Sequence, residues 1–219
     1  MDSLDTKQLR DNKTSSLTLP PTLEDCREDI ELAYQMLLKC FERKGKVLIC
    51  GNGGSASDAG HVVGELMKGF TKKRPLQDDI KQKLRTTHAA LGGLMADKLQ
   101  QPLSAIDLTV HNALIMAICN DIDPDLIFAQ QVLGYAQKDD VLIGISTSGN
   151  SKNVINGMVA AKSLGISTIG FTGADGGLLK DFCDVTIKVP RSTTASIQEL
   201  HLPIYHILCE EIEKQFFEI

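Results

Sequence analysis

Residues 141–151, Val-Leu-Ile-Gly-Ile-Ser-Thr-Ser-Gly-Asn-Ser, constrain the fold more than any other stretch. An apolar run stops abruptly at small hydroxyl residues and a Gly-Asn pair, which reads as a buried strand opening into a ligand loop. The segment Lys152–Leu164 then has helical spacing, so the loop sits at a helix N-terminus. Unpaired backbone N–H groups and the positive end of the helix dipole gather there and suit a phosphate. Ser146, Thr147, Ser148 and Ser151 add hydroxyl donors without bringing charge. No Gly-Lys-Ser/Thr ending follows, so this is not the nucleotide P-loop. On this segment alone, a polar strand-to-helix turn with no ligand stays open as the other reading.

The same grammar recurs along the chain. Lys46–Cys50 reads as a strand, Gly51-Asn52-Gly53-Gly54-Ser55 as a second strand-to-helix loop, and a helix follows with His61, Val62, Leu66, Met67 and Phe70. Leu103–Leu108, Thr168–Thr172 and Val185–Val189 supply further strands. A first helix is expected from an N-cap at Thr22 to a C′ residue at Gly45. Two more flank Asn120-Asp121, the second from about Pro124 to Gln137 after an Asp123 cap, and a last one runs from about Thr194 to Phe217. Strands alternating with helices imply right-handed crossovers and a mostly parallel sheet covered on both faces, with ligands bound beyond the carboxyl ends of the strands. The chain of 219 residues suits one domain over 22–219, preceded by a flexible tail at 1–21. Within the domain, residues 75–101 form an excursion of weak pattern, where Gly92-Gly93 is expected to break a short amphipathic helix.

Composition narrows the function. A net charge of −5 disfavours a general nucleic-acid or anionic-membrane surface, while a few local N–H groups can still hold a phosphorylated metabolite. The six cysteines form no Cys-x-x-Cys pair and lie mostly in apolar patterns, so they read as buried thiols of a reducing compartment. The polar N-terminus lacks the apolar centre of a signal peptide and no long apolar span exists, which points to the cytoplasm.

Two helices carry candidate chemistry. His61 and Glu65 are an i, i+4 pair, about 40° apart around the axis. They can converge on a metal ion or a substrate proton, or be a surface pair worth about 0.3 kcal/mol. Position favours the first, because their helix follows a ligand-type loop. On the last helix Gln198 and His206 are about 80° apart around the axis and about 12 Å apart along it. His201 is offset from both and reads as a surface or packing histidine. Pro203 lacks the N–H that would bond the Glu199 carbonyl, so a kink is expected.

Taken in order, Gly51-Asn52-Gly53-Gly54-Ser55, His61-x-x-x-Glu65, Asn120-Asp121, Ser146–Ser151, and Ile197-Gln198-Glu199 with His206 resemble the sugar isomerase (SIS) domain proteins, most closely the phosphoheptose isomerases. The similarity spans about residues 22–217, interrupted at 75–101. It implies a single SIS domain: a five-stranded parallel sheet flanked by helices in a flavodoxin-like three-layer sandwich, with an N-terminal helix and active sites at the subunit interfaces of a homotetramer. It further implies that Ser146, Thr147, Ser148 and Ser151 cradle a phosphate, and that Asn52, Gly53, Gly54, Ser55, Asn120, Asp121 and Gln198 surround a sugar. Glu65 would be the catalytic base and His206 its acid/base partner. His61, Glu65, Gln198 and His206 match the set that holds one zinc ion in some members, and no organic cofactor is implied. The implied reaction converts sedoheptulose 7-phosphate to D-glycero-D-manno-heptose 7-phosphate through an enediol, which needs a carboxylate base and an acid near neutrality.

Two positions depart from that family pattern. Gly69 stands where an arginine usually follows the glutamate by four residues, leaving Lys68 the nearest cation, and Ala195 stands where an aspartate usually precedes the glutamine by three. The excursion at 75–101 is longer than usual and reads as a surface elaboration, or else as a lid or altered subunit contact. These departures motivate an alternative, a non-catalytic SIS phosphosugar sensor or replication-initiator-associating type of assembly protein. A zinc hydrolase is disfavoured by the lack of a His-Glu-x-x-His motif.

Overall fold

The computed structural model describes residues 17–217. A 3-10 turn, Pro21–Cys26, leads into α1 (Arg27–Glu42), followed by β1 (Val47–Gly51) and α2 (Gly54–Met67). Then come α3 (Asp78–Thr87), α4 (Ala89–Lys98), β2 (Ala105–Asp107), α5 (Asn112–Asp121) and α6 (Ile127–Tyr135). β3 (Val141–Ile145), α7 (Lys152–Ser163), β4 (Ser167–Thr172), β5 (Val185–Lys188) and α8 (Thr194–Phe217) complete the chain.

The five strands form one all-parallel sheet in the order β2-β1-β3-β4-β5. Strand alternation sorts their apolar residues onto two faces. Val47, Ile49, Ile143, Ile145, Ile169 and Phe171 pack with α1, α2 and α8. Leu48, Cys50 and Leu142 pack with Phe128 and Val132 of α6 and with Val154, Met158 and Ala161 of α7. Both faces are covered, so β1 and β3 are buried at every position, as their near-continuous apolar runs require. The direction of chain progression reverses between β1 and β3, and in such sheets the crevice opens there, beyond the carboxyl ends.

Several local expectations are corrected. Thr22 is not an N-cap: it lies inside the 3-10 turn, and α1 begins only at Arg27. At the other end of α1, Lys44 takes the left-handed conformation (φ 61°), and Gly45 follows it, donating its N–H to the Cys40 carbonyl. The tail boundary at residue 21 is too late, because Leu17 and Leu19 are buried in the core; residues 1–16 lie outside the described residues. Helix α8 spans Thr194–Phe217 with Pro203 inside it, as a proline-kinked helix does.

Gly92-Gly93 does not break a helix either. Both glycines lie inside α4, and the break falls at His88, whose Nδ1 accepts from the Leu91 N–H at 3.2 Å. A Cβ at Gly92 would collide with the Leu84 carbonyl of α3, so Gly92 lets the two helices approach closely. The excursion is thus a helical hairpin, closed at its base by Gln101 N–H donating to the Arg74 carbonyl and by a bridge between Pro75 and Gln100. Gly92→Ala is expected to destabilise this hairpin by about 1–3 kcal/mol. Hydrogen exchange over residues 78–98 should quicken, while exchange in β1 and β3 stays unchanged.

Candidate active site

β1 and β3 end level, with Gly51 opposite Ile145, so their two loops leave the sheet side by side. The β3 loop is shaped by its own side chains. Ser146 and Ser151 share a hydroxyl contact of 2.9 Å, Ser148 Oγ accepts from the Asn150 N–H at 3.1 Å, and the Gly149 N–H closes a turn on the Ser146 carbonyl. Gly149 is left-handed (φ 66°), and a Cβ there would collide with the Gly176 carbonyl. Ser151 flanks the start of α7 without capping it through its side chain, and although Asn153 Oδ1 takes the Val154 N–H at 2.9 Å, the N–H groups of Lys152 and Asn153 keep their capacity to bind an anion. Ser146 is buried, Thr147 and Ser151 are half-buried, and Ser148 is exposed.

The β1 loop is tied to this cradle. Asn52 and Asn153 exchange two amide hydrogen bonds, Nδ2 to Oδ1 each way, at 2.9 and 3.0 Å. Asn153 escaped the sequence reading, since nothing local distinguishes a reciprocal amide pair across 101 residues. Gly53 holds φ 57° at the start of α2, Gly54 is exposed beside it, and Ser55 is buried in the first turn.

Helices α2 and α8 lie side by side, and their contacts advance together, so they run parallel. A Cβ on Gly54 would collide with the Gln198 amide, which places Gln198 over the start of α2. Two turns further, His61 meets His206, with Nε2 to Nε2 at 3.5 Å. His61 Nε2 also lies 3.2 Å from Glu65 Oε1. The Glu65 side chain is 12% exposed and its Oε2 lacks a hydrogen-bond partner, though Lys68 Nζ stands 3.6 Å away. Burial lowers the His206 pKa and the His61 ring adds to that effect, while Glu65 opposes it. The structure therefore brings together His61, Glu65 and His206. No hydrogen bond among the described residues joins Gln198 to that trio, and Asn120 and Asp121 lie at the end of α5 bonded to each other at 2.7 Å. His201 is a core residue, bonded through Nε2 to the Thr172 carbonyl at 3.2 Å and pushed down by burial to a pKa of about 4. All six cysteines are free.

Glu65 is set in place by a pair the sequence reading did not single out. Arg74, the third residue of the charged run Lys72-Lys73-Arg74, is wholly buried. Its guanidinium donates to the carbonyls of Leu66 (2.7 Å) and Glu65 (3.0 Å) at the C-terminal end of α2, and to Glu213 Oε1 at 2.6 Å. Glu213, also wholly buried, accepts from the N–H groups of Phe70, Thr71 and Lys72 and from the Thr71 hydroxyl. Burial alone would raise its pKa, but these donors bring it down to about 2. One signal was available: Tyr205, Cys209 and Glu213 share a stripe at i, i+4, i+8, so a charge sits on an apolar face.

The fold and site define a class before any name does: a parallel α/β sheet with an anion cradle and a histidine–carboxylate cluster at its switch point. The chain belongs to the SIS domain family, which it matches over residues 16–90 and 84–173. It is 42% identical over 199 residues to the phosphoheptose isomerase of Nitratiruptor, covering 91% of this chain and 92% of that one. To the phosphoheptose isomerase of Shewanella loihica it is 38% identical over 215 residues, covering 96% of each. A solved phosphoheptose isomerase from Francisella tularensis, 32% identical, superposes with a TM-score of 0.70 over 97% of this chain and 93% of that one.

Removing one partner of a buried ion pair costs about 3–5 kcal/mol, and Glu213→Gln should cost that much in urea unfolding at neutral pH. Because the folded pKa of Glu213 lies below its ordinary value of 4.5, its stabilisation is complete above that pH and is lost as pH falls toward about 2. Wild-type stability should fall across that window, and the variant should lack this part of the fall.

Proposed function

We propose that the protein is a phosphoheptose isomerase that interconverts sedoheptulose 7-phosphate and D-glycero-D-manno-heptose 7-phosphate by proton transfer through an enediol. The observation that carries this reading is the nearly buried Glu65 carboxylate, packed against His61 and close to His206, on the helix that starts beside a phosphate-type cradle. The substrate phosphate would lie on Ser146, Thr147, Ser148, Ser151 and the start of α7, with the sugar passing Asn52, Gly53, Gly54 and Gln198 toward Glu65. Asn120 and Asp121 join the sugar site as well. Ser55, in the first turn of α2, joins the sugar side of its loop as Ser146 joins the phosphate side, the two being buried to the same extent.

Glu65 would take the proton from the carbon beside the carbonyl and return it to the neighbouring carbon. Its side chain is almost wholly enclosed, and the Lys68 ammonium stands 3.6 Å from its Oε2. His206, kept largely neutral by its surroundings, would exchange a proton with the carbonyl or hydroxyl oxygen. The sensor reading loses support here, because Lys68 supplies a cation beside Glu65 although Gly69 has no side chain.

A zinc ion fits the donor set. The described residues hold no ready-made cage of three or more His, Cys, Asp or Glu ligands. Even so, the 3.2 and 3.5 Å spacings around His61 Nε2 are close to the roughly 3.3 Å between ligands of a tetrahedral ion bound at about 2.0–2.1 Å. His61, Glu65 and His206 would hold it, with Gln198 having to reach them from its place over the first turn of α2, and it would supply Lewis-acid stabilisation of oxyanion charge.

We assign the protein to the cytoplasm, in keeping with six free thiols, and to a homotetramer with sites at subunit interfaces. Val110, Leu114, Met116 and Ile122 stand exposed on and beside α5, the helix that ends in Asn120-Asp121, and exposed apolar side chains there suit burial against a second copy. Light scattering should return four chains per particle; a monomer would overturn the assembly. Sedoheptulose 7-phosphate incubated with the protein should yield the aldose by NMR, and folded protein with no turnover, with or without zinc, would overturn the activity. Glu65→Gln should lower turnover by about 10²–10⁴-fold while retaining sugar-phosphate binding by calorimetry.

A further inference from the structure

His61 is gripped from behind by two residues outside the acid/base set. Tyr205, buried on α8, has its hydroxyl 3.0 Å from His61 Nδ1 and 3.3 Å from Asp58 Oδ1. Asp58 sits one turn before His61 on α2, with its second oxygen buried and without a partner. A phenol has one proton to give, and an ionised carboxylate can only accept. The Tyr205 proton is therefore committed to Asp58, and the phenol oxygen faces His61 as an acceptor. Nδ1 then carries the imidazole hydrogen and in the neutral ring Nε2 carries none, against the pull of Glu65 Oε1, which as a second acceptor would by itself draw that hydrogen to Nε2. That bare nitrogen is the one facing Glu65 Oε1 and His206 Nε2.

We propose that Asp58 and Tyr205 are positioning residues, which fix His61 as the Nδ1–H tautomer and aim its Nε2 lone pair into the site. A phenol at position 205 suits the task because its ring also packs edge-on against both histidines, with centroids 5.4 Å from His61 and 5.0 Å from His206. One side chain thus sets the tautomer of the first imidazole and the seat of the second. The result is an acceptor beside a carboxylate, an arrangement that attracts a substrate hydroxyl or a metal ion. The inference rests on the isomerase reading only for the use made of that lone pair. Its hydrogen-bond logic needs no substrate.

The test uses metal-free protein with nitrogen-15-labelled histidine, examined by long-range proton–nitrogen NMR at about pH 8, where ordinary imidazoles are neutral. The His61 signals are assigned by their loss in His61→Gln. Wild-type His61 should appear as the Nδ1–H tautomer, and Tyr205→Phe, which removes only the hydroxyl, should abolish that bias. Asp58→Ala, at a half-buried position, removes the acceptor of the Tyr205 proton and should do the same through an independent change. His61 found as Nε2–H in the wild type, or an unchanged tautomer in both variants, would overturn the proposal. Zinc competition against a chromophoric chelator gives a second reading, with an affinity about 10–100-fold weaker expected for Tyr205→Phe. Equal affinity would count against a supporting role at the metal. A wild type that binds no zinc would overturn the zinc reading alone, and the tautomer would still decide this one.

Discussion

The parallel pairing of β1 with β3 is the constraint on which the rest depends. With Gly51 level with Ile145, two loops and two helix N-termini emerge together at the place where the sheet's winding reverses. Neither loop alone makes a site. The β3 loop can hold an anion, and the β1 loop delivers α2 with its carboxylate. The reciprocal Asn52–Asn153 amide pair keeps the spacing between them. A one-residue slip would turn Leu48 and Cys50 to the wrong face and carry Asn52 away from Asn153.

From that origin, distance along α2 becomes depth in the site. Gln198 faces its first turn, His61 meets His206 in the middle, and Glu65 stands near its end. A helix end carries carbonyls that need donors. Here they receive a guanidinium, itself neutralised by a carboxylate from α8. Burying such a pair does little for net stability by comparison with an apolar filling. Its geometry is more specific, since Arg74 binds the Glu65 backbone and Glu213 binds the three residues that follow Phe70's predecessor, Gly69. The clamp therefore fixes where Glu65 stands relative to α8.

How much of this was legible in the sequence follows from the range of each interaction. The strands, the two ligand loops, Thr194–Phe217 as a helix and the His61–Glu65 spacing all leave local periodic traces. The flavodoxin-like strand order and the SIS resemblance came from motifs in sequence order. Asn153, Tyr205, Asp58 and Arg74 matter through partners 100 or more residues away, or through burial that a charge run disguises. Lys72-Lys73-Arg74 is a solvated run by composition, yet its third member is wholly buried because Glu213 waits for it. Gly92-Gly93 misled for the opposite reason: glycine's conformational freedom suggested a break, while packing used its missing side chain.

The same reasoning explains the departure at Gly69. Its N–H donates to Gln100 Oε1 at 2.7 Å, and a Cβ there would collide with the Lys72 carbonyl. No side chain fits, so the arginine usual in the family could not be accommodated in this backbone. The cation is instead provided one residue earlier, by Lys68 at 3.6 Å from Glu65. An ammonium on a flexible stem is a point charge without the guanidinium's planar fork, so it can neutralise Glu65 without dictating its orientation. Orientation then falls to what surrounds the carboxylate: the Arg74 clamp beneath its backbone and the His61 ring against Oε1. In this chain, charge and direction at Glu65 come from different residues.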